Sequence, residues 1–451
     1  MRINFPRLFN WLIIGVILFT DLNLKYWKDP DKVIAWDAIS YYAYLPATFI
    51  YHDPTLQFTD HAPDEVRNKI WYQPTPTGGR AIKTSMGLSM LYAPFFFSAH
   101  LIAPVLGFEP NGYSTPYRFM LIMSCLFYVG LALYFLRKVL CSYFPSWVVI
   151  VTICSVVLGT NLFFYSAIES TMSHAYSFFL FAVFIYVTFK WYENPNAKWS
   201  VFLGALTGLI VLVRPTNVLL LLFMILWDVK SWNEFGDRIR LLISRYRLLL
   251  LMMVLFLVIW IPQLIYWKVV SGQWFYFSYG DNERFFFSDP QIIKGLFGYR
   301  KGWFLYTPLM LFAVAGIPFL YQSYKSFFIP VLVFTVLNIY IVLSWWSWWY
   351  GGGFGLRAFI DSYALLSIPL AAFIHKCSGK KTSLKIILVL LITILSCFNQ
   401  FQTWQYWKSI IHWDSMSEKA YWASFCKQGF PDNYEQMLEH PDYDKAAKGE
   451  R

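Results

Sequence analysis

A carboxylate beside a predicted membrane span is the first group in this chain that could do chemistry. The segment from Trp36 to Pro46 (WDAISYYAYLP) follows an apolar run, and Asp37 stands at its head. A charged carboxylate so close to hydrocarbon is costly, so its presence indicates a function. At helical spacing Asp37 and Tyr41 share a face, where Asp37 can take a proton from a hydroxyl group and Tyr41 can contact the substrate. The structural alternative is that Asp37 caps the following helix, and both roles are compatible.

A second acid and an imidazole stand together further along the chain, in the turn from Glu169 to His174 (ESTMSH). Their spacing allows both side chains to face one cavity. Glu169 is therefore a candidate for a second acid or base or for a ligand of a sugar hydroxyl group, and His174 is a candidate substrate ligand. The alternative is an ordinary capped helix start at Ser170 or Ser173.

Several cations lie beside apolar segments and could hold an anionic group at a membrane surface: Lys83, Arg118, Arg214 and Arg357. A guanidinium group offers a planar fork for phosphate oxygens and keeps its proton there. The alternative for each side chain is that it reaches out to lipid head groups. Arg214 is the strongest candidate, because it stands between two hydrophobic runs with only a turn to hydrate it.

Aromatic and polar residues mix in two later segments, as is typical of sites that bind carbohydrate. The segment 278-284 (SYGDNER) offers Tyr279 and Glu283 as substrate ligands, since aromatic faces stack on sugar rings and carboxylates bind hydroxyl groups. In the segment 345-353 (WWSWWYGGG), the tryptophans could stack in the same way or form the aromatic belt of a membrane interface. The three glycines allow the backbone to approach a ligand closely.

The elements that position these residues are expected to be membrane helices. Of the 451 residues, 57% are hydrophobic and 14% charged, whereas soluble domains carry about 25% charged residues. The formal charge of +11 follows from the positive-inside rule and from contact with anionic membrane lipids, so nucleic acid is not an expected partner. The sequence therefore predicts an all-α integral membrane protein.

Hydropathy predicts about eleven transmembrane helices, with the N-terminus in the cytoplasm and the C-terminus outside. The predicted spans are 8-26, 117-136, 145-166, 173-190, 200-213, 216-229, 248-269, 303-321, 327-346, 360-375 and 384-400. With this orientation every short cytoplasmic loop carries Lys or Arg, as the positive-inside rule requires. The first span is expected to stay uncleaved, because no small-residue cleavage site follows it.

The apolar segment 86-107 is long enough to cross the membrane, but counting it as a span would invert every later loop. We expect it to be an interfacial helix, with a twelfth span as the alternative. The predicted organisation is then a transmembrane domain, 1-400, followed by a small external appendage, 401-451. The long external loop 27-116 of the first domain carries the interfacial helices.

These motifs resemble those of the C-type integral membrane glycosyltransferases (the GT-C superfamily), in particular uncharacterised bacterial members. The motif at Asp37 resembles the family's acidic first-loop motif. The other resembling segments are RAIKTSMG at 80-87 with YAPFF at 92-96, YRF at 117-119, GALTGLIVLVR at 204-214 and WWYGGGFGLR at 348-357. In the family, the segment that YRF resembles opens the second span. The segment that GALTGLIVLVR resembles ends near the lipid-phosphate site.

The resemblance implies that a hexosyl or pentosyl group moves from a polyprenyl-phosphate donor to a glycan, lipid or protein acceptor. The reaction would take place on the external face of the bacterial inner membrane, with the C-terminus in the periplasm. Ala38 stands where many members carry a second acidic residue, and one carboxylate alone holds a divalent cation poorly. We therefore assign no metal ligands, and a divalent cation is the one cofactor left open.

The sequence contains no motif for nucleotide-dependent or zinc-dependent chemistry, since Walker A, dinucleotide-binding and HExxH patterns are missing. The alternative to a glycosyltransferase is a non-catalytic membrane protein, such as a transporter of lipid-linked glycans or a scaffold. A transporter needs a charged path across the bilayer, and the predicted spans contain few acids.

Overall fold

The protein is almost entirely helical. A computed structural model describes residues 5–62, 64–67, 69–280, 283–379 and 381–451. Within these residues the strands amount to one short antiparallel hairpin, β1 (Gln73–Pro74) and β2 (Arg80–Ala81). The predicted all-α class is confirmed.

In chain order, the helices are α1 (Phe5–Leu24), α2 (Asp37–Tyr42), α3 (Tyr44–Phe49), α4 (Asp64–Arg67), α5 (Gly87–Val105), α6 (Thr115–Cys141), α7 (Ser146–Leu158), α8 (Leu162–Ala167), α9 (Ser173–Glu193), α10 (Ala197–Val213), α11 (Leu221–Leu226), α12 (Trp232–Ser244), α13 (Tyr246–Ser271), α14 (Ile292–Phe297), α15 (Trp303–Tyr306), α16 (Leu309–Ser323), α17 (Lys325–Leu343), α18 (Tyr363–Ser378), α19 (Thr382–Trp407), α20 (Glu418–Ser424), α21 (Tyr434–Met437) and α22 (Tyr443–Lys448). Short 3-10 helices lie between them at Tyr26–Lys28, Gln57–Asp60, Pro215–Leu220 and Arg357–Ser362.

In the described part of the chain, eight helices are long and apolar enough to cross a membrane. They are α1, α5, α6, α9, α13, α17, α18 and α19, some extended by an adjoining 3-10 turn. Shorter apolar helices are α7, α10, α16 and the segment Pro215–Leu226. A chain with so many apolar helices is a multi-pass membrane protein, because lipid is the solvent in which such helices are stable. The count of eleven crossings stays a prediction.

Two predicted spans are interrupted. The span predicted at 145-166 is two helices, α7 and α8, and Asn161 stands in the break, where its amide donates to the Phe354 carbonyl at 3.1 Å. The span predicted at 303-321 is broken between α15 and α16 at Pro308, which has no backbone N–H to continue a helix. Hydropathy registers the apolar run but not such breaks.

Helix α5 lies beside only the first half of α6. Tyr128, in the middle of α6, donates to the Leu91 carbonyl at 3.0 Å, and His100 contacts Tyr117 in the first turn of α6. The start of α5 lies against Val213, where α10 ends. Helix α5 therefore runs antiparallel to α6. Its interfacial placement stays a prediction, since α5 is also long and apolar enough to cross a membrane.

Close packing of α16 against α18 supports the 3-10 turn Arg357–Ser362, which leads directly into α18. A Cβ on Gly316 would overlap the carbonyl oxygen of Pro369, so a side chain cannot be accommodated there. Small residues let membrane helices approach each other in this way. The turn therefore begins on a rigid pair of helices.

The boundary predicted at residue 401 between the transmembrane domain and the appendage falls inside α19, and the division into these two domains stays a prediction. Helix α19 continues through residues 401–407, where Gln402 is buried inside the fold, so this polar stretch belongs to the long helix. The appendage covers residues 408–451 and contains α20, α21 and α22. Arg451 ties it to the loop after α17 by donating to the Trp345 carbonyl at 2.9 Å.

Candidate active site

Asp37 is held by an arginine that comes much later in the chain. It is the first residue of α2, and its Oδ2 accepts a hydrogen bond from Arg357 Nη2 at 2.8 Å. Trp36 occupies the capping position and no side chain caps this helix, so the capping alternative for Asp37 is wrong. Trp36 has φ of +52°, a strained value that persists only where the surrounding structure imposes it. The Asp37 side chain is 42% exposed, and its Oδ1 has no hydrogen-bond partner among the described residues.

The glycine-rich loop before Arg357 packs closely against Tyr165. Gly353 has φ of +155°, and a Cβ there would lie 2.5 Å from the Tyr165 hydroxyl oxygen. That hydroxyl accepts a hydrogen bond from the backbone N–H of Phe354 at 2.9 Å. The absence of a side chain at Gly353 thus lets the loop rest on its neighbours and fixes Arg357, while a direct contact between the glycines and a ligand stays a prediction.

Glu169 and Lys301 carry opposite charges beside Arg357. Burial raises the pKa of Glu169 to about 7, although the positive charges of Arg357 and Lys301 act to lower it. Lys301 is 2% exposed, and its ammonium group donates to the carbonyls of Gly353 and Trp413. Burial, assisted by the charge of Arg357, lowers the pKa of Lys301 to about 7. Both groups therefore change charge near neutral pH, which is typical of functional sites.

Asp361 is the centre of a second buried group. It is 3% exposed and lies within hydrogen-bond distance of His174 Nδ1 (3.0 Å), Arg214 Nε (3.1 Å) and Asn217 Nδ2 (3.1 Å). These residues come from the start of α9, the end of α10 and the 3-10 helix that follows α10. The carboxylate thus ties three elements to the turn before α18, and a buried charge requires such partners.

The start of α9 has no side-chain cap, since Met172 occupies the capping position. The capping alternative for Ser170 or Ser173 is therefore wrong. His174 is in the first turn of α9 and is directed to Asp361, and its role as a substrate ligand stays a prediction.

Arg214 lies between two helices, as predicted, where α10 ends and the 3-10 helix begins at Pro215. Its Nε binds Asp361, and its Nη1 lies 3.2 Å from His174 Nδ1. Nη2 has no hydrogen-bond partner in the part of the chain that the structure describes. The guanidinium is therefore fixed in place and keeps one donor group available for an anion.

Tyr41 lies between the Asp37 and Asp361 groups. Its hydroxyl is 3.4 Å from Ser173 Oγ at the start of α9, and the charges of Asp37, Arg214 and Arg357 all act on it. Burial raises the pKa of Tyr41, so the side chain stays a neutral phenol that can donate a hydrogen bond. The two groups therefore form one site.

Lys83 and Glu283 form an ion pair at the edge of this site. Lys83 Nζ lies 2.6 Å from Glu283 Oε1 and 5.2 Å from the centre of the Tyr279 ring. Burial raises the pKa of Tyr279, and the nearby charge of Asp37 acts in the same direction. The substrate-binding roles of Lys83, Tyr279 and Glu283 stay predictions.

The remaining residues of the two aromatic segments have different surroundings. Asp281 and Asn282 lie outside the described residues. Trp348 and Trp349 are 5% and 4% exposed, and the Trp349 ring packs against Tyr443 of the appendage. These two tryptophans are therefore interior residues rather than members of a membrane belt.

Arg118 is not brought to the site. Its guanidinium donates to the carbonyls of Trp27 and Tyr113 and to Thr115 Oγ1, all near the start of α6. Within the described residues no hydrogen bond or ion pair joins it to Asp37 or to the Asp361 group. These hydrogen bonds connect Arg118 to the first loop, and the substrate role predicted for it stays a prediction.

Residues that the sequence did not single out complete the site: Asp361, Asn217 and Lys301. Two of them left a signal. Asp361 is an acid inside a predicted membrane span, which is expensive without a function. Lys301 belongs to a basic pair on the predicted external side, where the positive-inside rule leads to few basic residues.

The residues present do not fit a divalent cation. Among the described residues, no three His, Cys, Asp or Glu side chains come together in a way that could hold a metal ion. Beside Asp37 the positive charge is supplied by Arg357. We therefore derive no chemistry from a metal.

The site combines carboxylates, guanidinium groups and a phenol at one end of apolar helices. No protein-family model matches the chain, and no curated protein matches it. What the site can do must therefore be inferred from its groups, which can move a proton at Asp37 and bind an anion at Arg214.

Proposed function

We propose that the protein transfers a sugar from a polyprenyl-phosphate donor to a hydroxyl group of a glycan, lipid or protein acceptor. The observation that carries this proposal is the pairing of Asp37 with Arg357 next to an Arg214 that is anchored by Asp361. A proton acceptor thus lies beside a phosphate-binding group at the end of apolar helices. A lipid donor with a charged head and a hydrocarbon tail matches that arrangement.

In this reaction the acceptor oxygen attacks the anomeric carbon of the sugar, and the bond from that carbon to the phosphate oxygen breaks. Asp37 takes the proton of the acceptor hydroxyl through Oδ1, while Arg357 holds Oδ2. The bonding electrons leave with the polyprenyl phosphate, and Arg214 stabilises the charge that develops there through Nη2. The neutral phenol of Tyr41 donates a hydrogen bond to the substrate.

We place the protein in the bacterial inner membrane, with the N-terminus in the cytoplasm and the site and the C-terminus in the periplasm. The support is the distribution of charge, since helix α12 and its flanks carry Arg238, Arg240, Arg245 and Arg247. This cluster follows α11, which leads away from the Arg214 end of the molecule. Basic residues gather on the cytoplasmic side of membrane proteins.

The test is an assay of the purified protein in detergent with a set of short-chain polyprenyl-phosphate hexoses and pentoses as donors and a set of glycans, lipids and peptides as acceptors. Released polyprenyl phosphate is measured by mass spectrometry. We expect turnover with the wild type and its loss in Asp37→Asn, because asparagine cannot accept the proton. Asp60→Asn is the matched control, since Asp60 also pairs with an arginine, Arg80, at 2.8 Å but is not one of the groups assigned to the reaction.

Turnover in Asp37→Asn equal to that of the wild type would exclude Asp37 as the base. Donor binding without turnover, for every donor in the set, would instead support the alternative of a non-catalytic protein that handles lipid-linked glycans.

A further inference from the structure

A cleft of about 490 Å³ lies between the appendage and the loops after α14 and α17. Tyr299 and Arg300 line one side, Trp348 and Trp349 line another, and residues 439–446 of the appendage contribute to a third. Its volume is within the range of about 300–1,000 Å³ that ligand sites occupy. Within the described residues, none of the groups assigned to the reaction lines this cleft.

Hydrogen bonds fix the walls of the cleft before any ligand binds. Arg300 Nη1 donates to the Asp414 carbonyl at 2.7 Å, and Tyr443 Oη donates to Asp414 Oδ2 at 2.9 Å. Tyr299 Oη donates to Glu418 Oε1 at 3.2 Å. A preformed site loses less conformational entropy on binding than a mobile one.

The lining identifies the class of ligand. It carries both signs of charge, with cations at Lys294, Arg300 and Lys445 and anions at Glu418, Glu439, Asp442 and Glu450, whereas the Arg451 guanidinium is buried and bound to Asp289. A polyanion would be repelled by the carboxylates, and a lipid tail would leave these charges without hydration. A neutral ligand rich in hydroxyl groups can accept hydrogen bonds from the cations and donate to the carboxylates.

The cleft is connected to the reaction site through two segments of chain. Arg300 in its wall is followed by Lys301, whose ammonium group holds the Gly353 carbonyl. Trp348 and Trp349 lead into the same glycine-rich loop, which ends at Arg357. A molecule bound in the cleft therefore rests on the segments that position Arg357 beside Asp37.

We propose that this cleft binds neutral sugar residues of the acceptor, which makes the acceptor a glycan. The identity of the acceptor rests on the proposed function, whereas saccharide binding in the cleft does not. The cleft would hold the chain of sugars while its end reaches Asp37.

The experiment measures saccharide binding to the purified protein in detergent, without donor. The probes are the neutral tetrasaccharides of β-linked glucose, N-acetylglucosamine, mannose and galactose. Their binding is measured by saturation-transfer NMR and calorimetry. We expect at least one to bind, and the double variant Glu418→Gln with Glu439→Gln to weaken it at least tenfold. Glu435→Gln is the matched control, because this exposed carboxylate of the appendage does not line the cleft.

Failure of all four probes to bind, or equal binding by the double variant, would overturn the proposal. So would tighter, salt-dependent binding of a sulfated tetrasaccharide, which would indicate an anion site. Binding is also measured with Asp37→Asn, where it should be unchanged. Loss of transfer and loss of saccharide binding can therefore be told apart.

Discussion

At the scale of single residues, the site consists of charges that are held by other charges. Arg357 holds Asp37, and Asp361 holds Arg214. In each pair, one polar atom of the residue assigned to the reaction has no partner among the described residues. These two atoms are Oδ1 of Asp37 and Nη2 of Arg214. Such pairing orients a side chain before the substrate arrives, which is how enzymes reduce reorganisation during the reaction.

Asp361 is predicted to act as a positioning residue for Arg214. In Asp361→Asn the side chain keeps its shape but loses the charge that holds the guanidinium, which costs about 1.5–3 kcal/mol. We expect KM for the donor to rise roughly ten- to a hundredfold with a smaller change in kcat. Ser177→Ala is the control, since Ser177 contacts Asn217 of the same cluster but not Asp361.

A structural role alone would lower the thermal stability of Asp361→Asn and leave KM unchanged in the protein that remains folded. That outcome would remove Asp361 from the donor site.

Glu169 is predicted to make stability depend on pH. Its pKa in the folded protein, about 7, lies above the usual 4.5 because of burial, so folding favours the protonated form. The stability it contributes is complete below its unfolded pKa and is lost as pH rises through about 7. We expect Tm of the wild type, relative to that of Glu169→Gln, to fall between about pH 5 and about pH 8.

The variants are compared by thermal denaturation in detergent, with the exposed Glu109→Gln as control. Lys301 has the opposite dependence, since its stability contribution is lost as pH falls through about 7, but it is present in both proteins. Parallel pH curves for the wild type and Glu169→Gln would show that Glu169 titrates normally.

At the scale of elements, the sequence predicts apolar runs well and their interruptions poorly. Every predicted span coincides with a helix or a pair of helices, since hydropathy depends only on local composition. The break at Asn161 depends on a carbonyl at Phe354, which lies far along the chain. Asp361 was missed for the same reason, because its partners are assembled only by packing, whereas Asp37, Tyr41 and Arg214 were predicted from local motifs.

Helix α5 provides a prediction at this scale. If it lies in the interface, the loops before and after it are on one side of the membrane. Single cysteines at Asp60 and Glu109, in a variant without the natural cysteines, should both react with a membrane-impermeant maleimide added from the outside. Labelling of one position and protection of the other would mean that α5 crosses the bilayer and that the later loops are inverted.

At the scale of the whole molecule, the appendage and the membrane helices build one end together. Lys301, in the loop after α14, donates to the Trp413 carbonyl at 2.5 Å and to the Gly353 carbonyl, so the appendage supports the glycine-rich loop that carries Arg357. The composition of the C-terminal segment indicated a separate polar unit but not this contact. The membrane helices and the appendage therefore both help to position the residues of the site.

The proposed function depends most directly on Arg214, which binds the phosphate of the polyprenyl-phosphate donor beside Asp37. The direct measurement is the affinity of the purified protein for the donor that supports turnover. It is determined by titration for the wild type, for Arg214→Lys and, as the control, for Arg80→Lys. Lysine keeps the charge but cannot bind Asp361 and phosphate at once with a planar fork. We predict affinity weaker by roughly ten- to a hundredfold in Arg214→Lys, equivalent to about 1.5–3 kcal/mol, and unchanged in Arg80→Lys. Equal affinity of Arg214→Lys and wild type for the donor would show that Arg214 does not bind the donor phosphate.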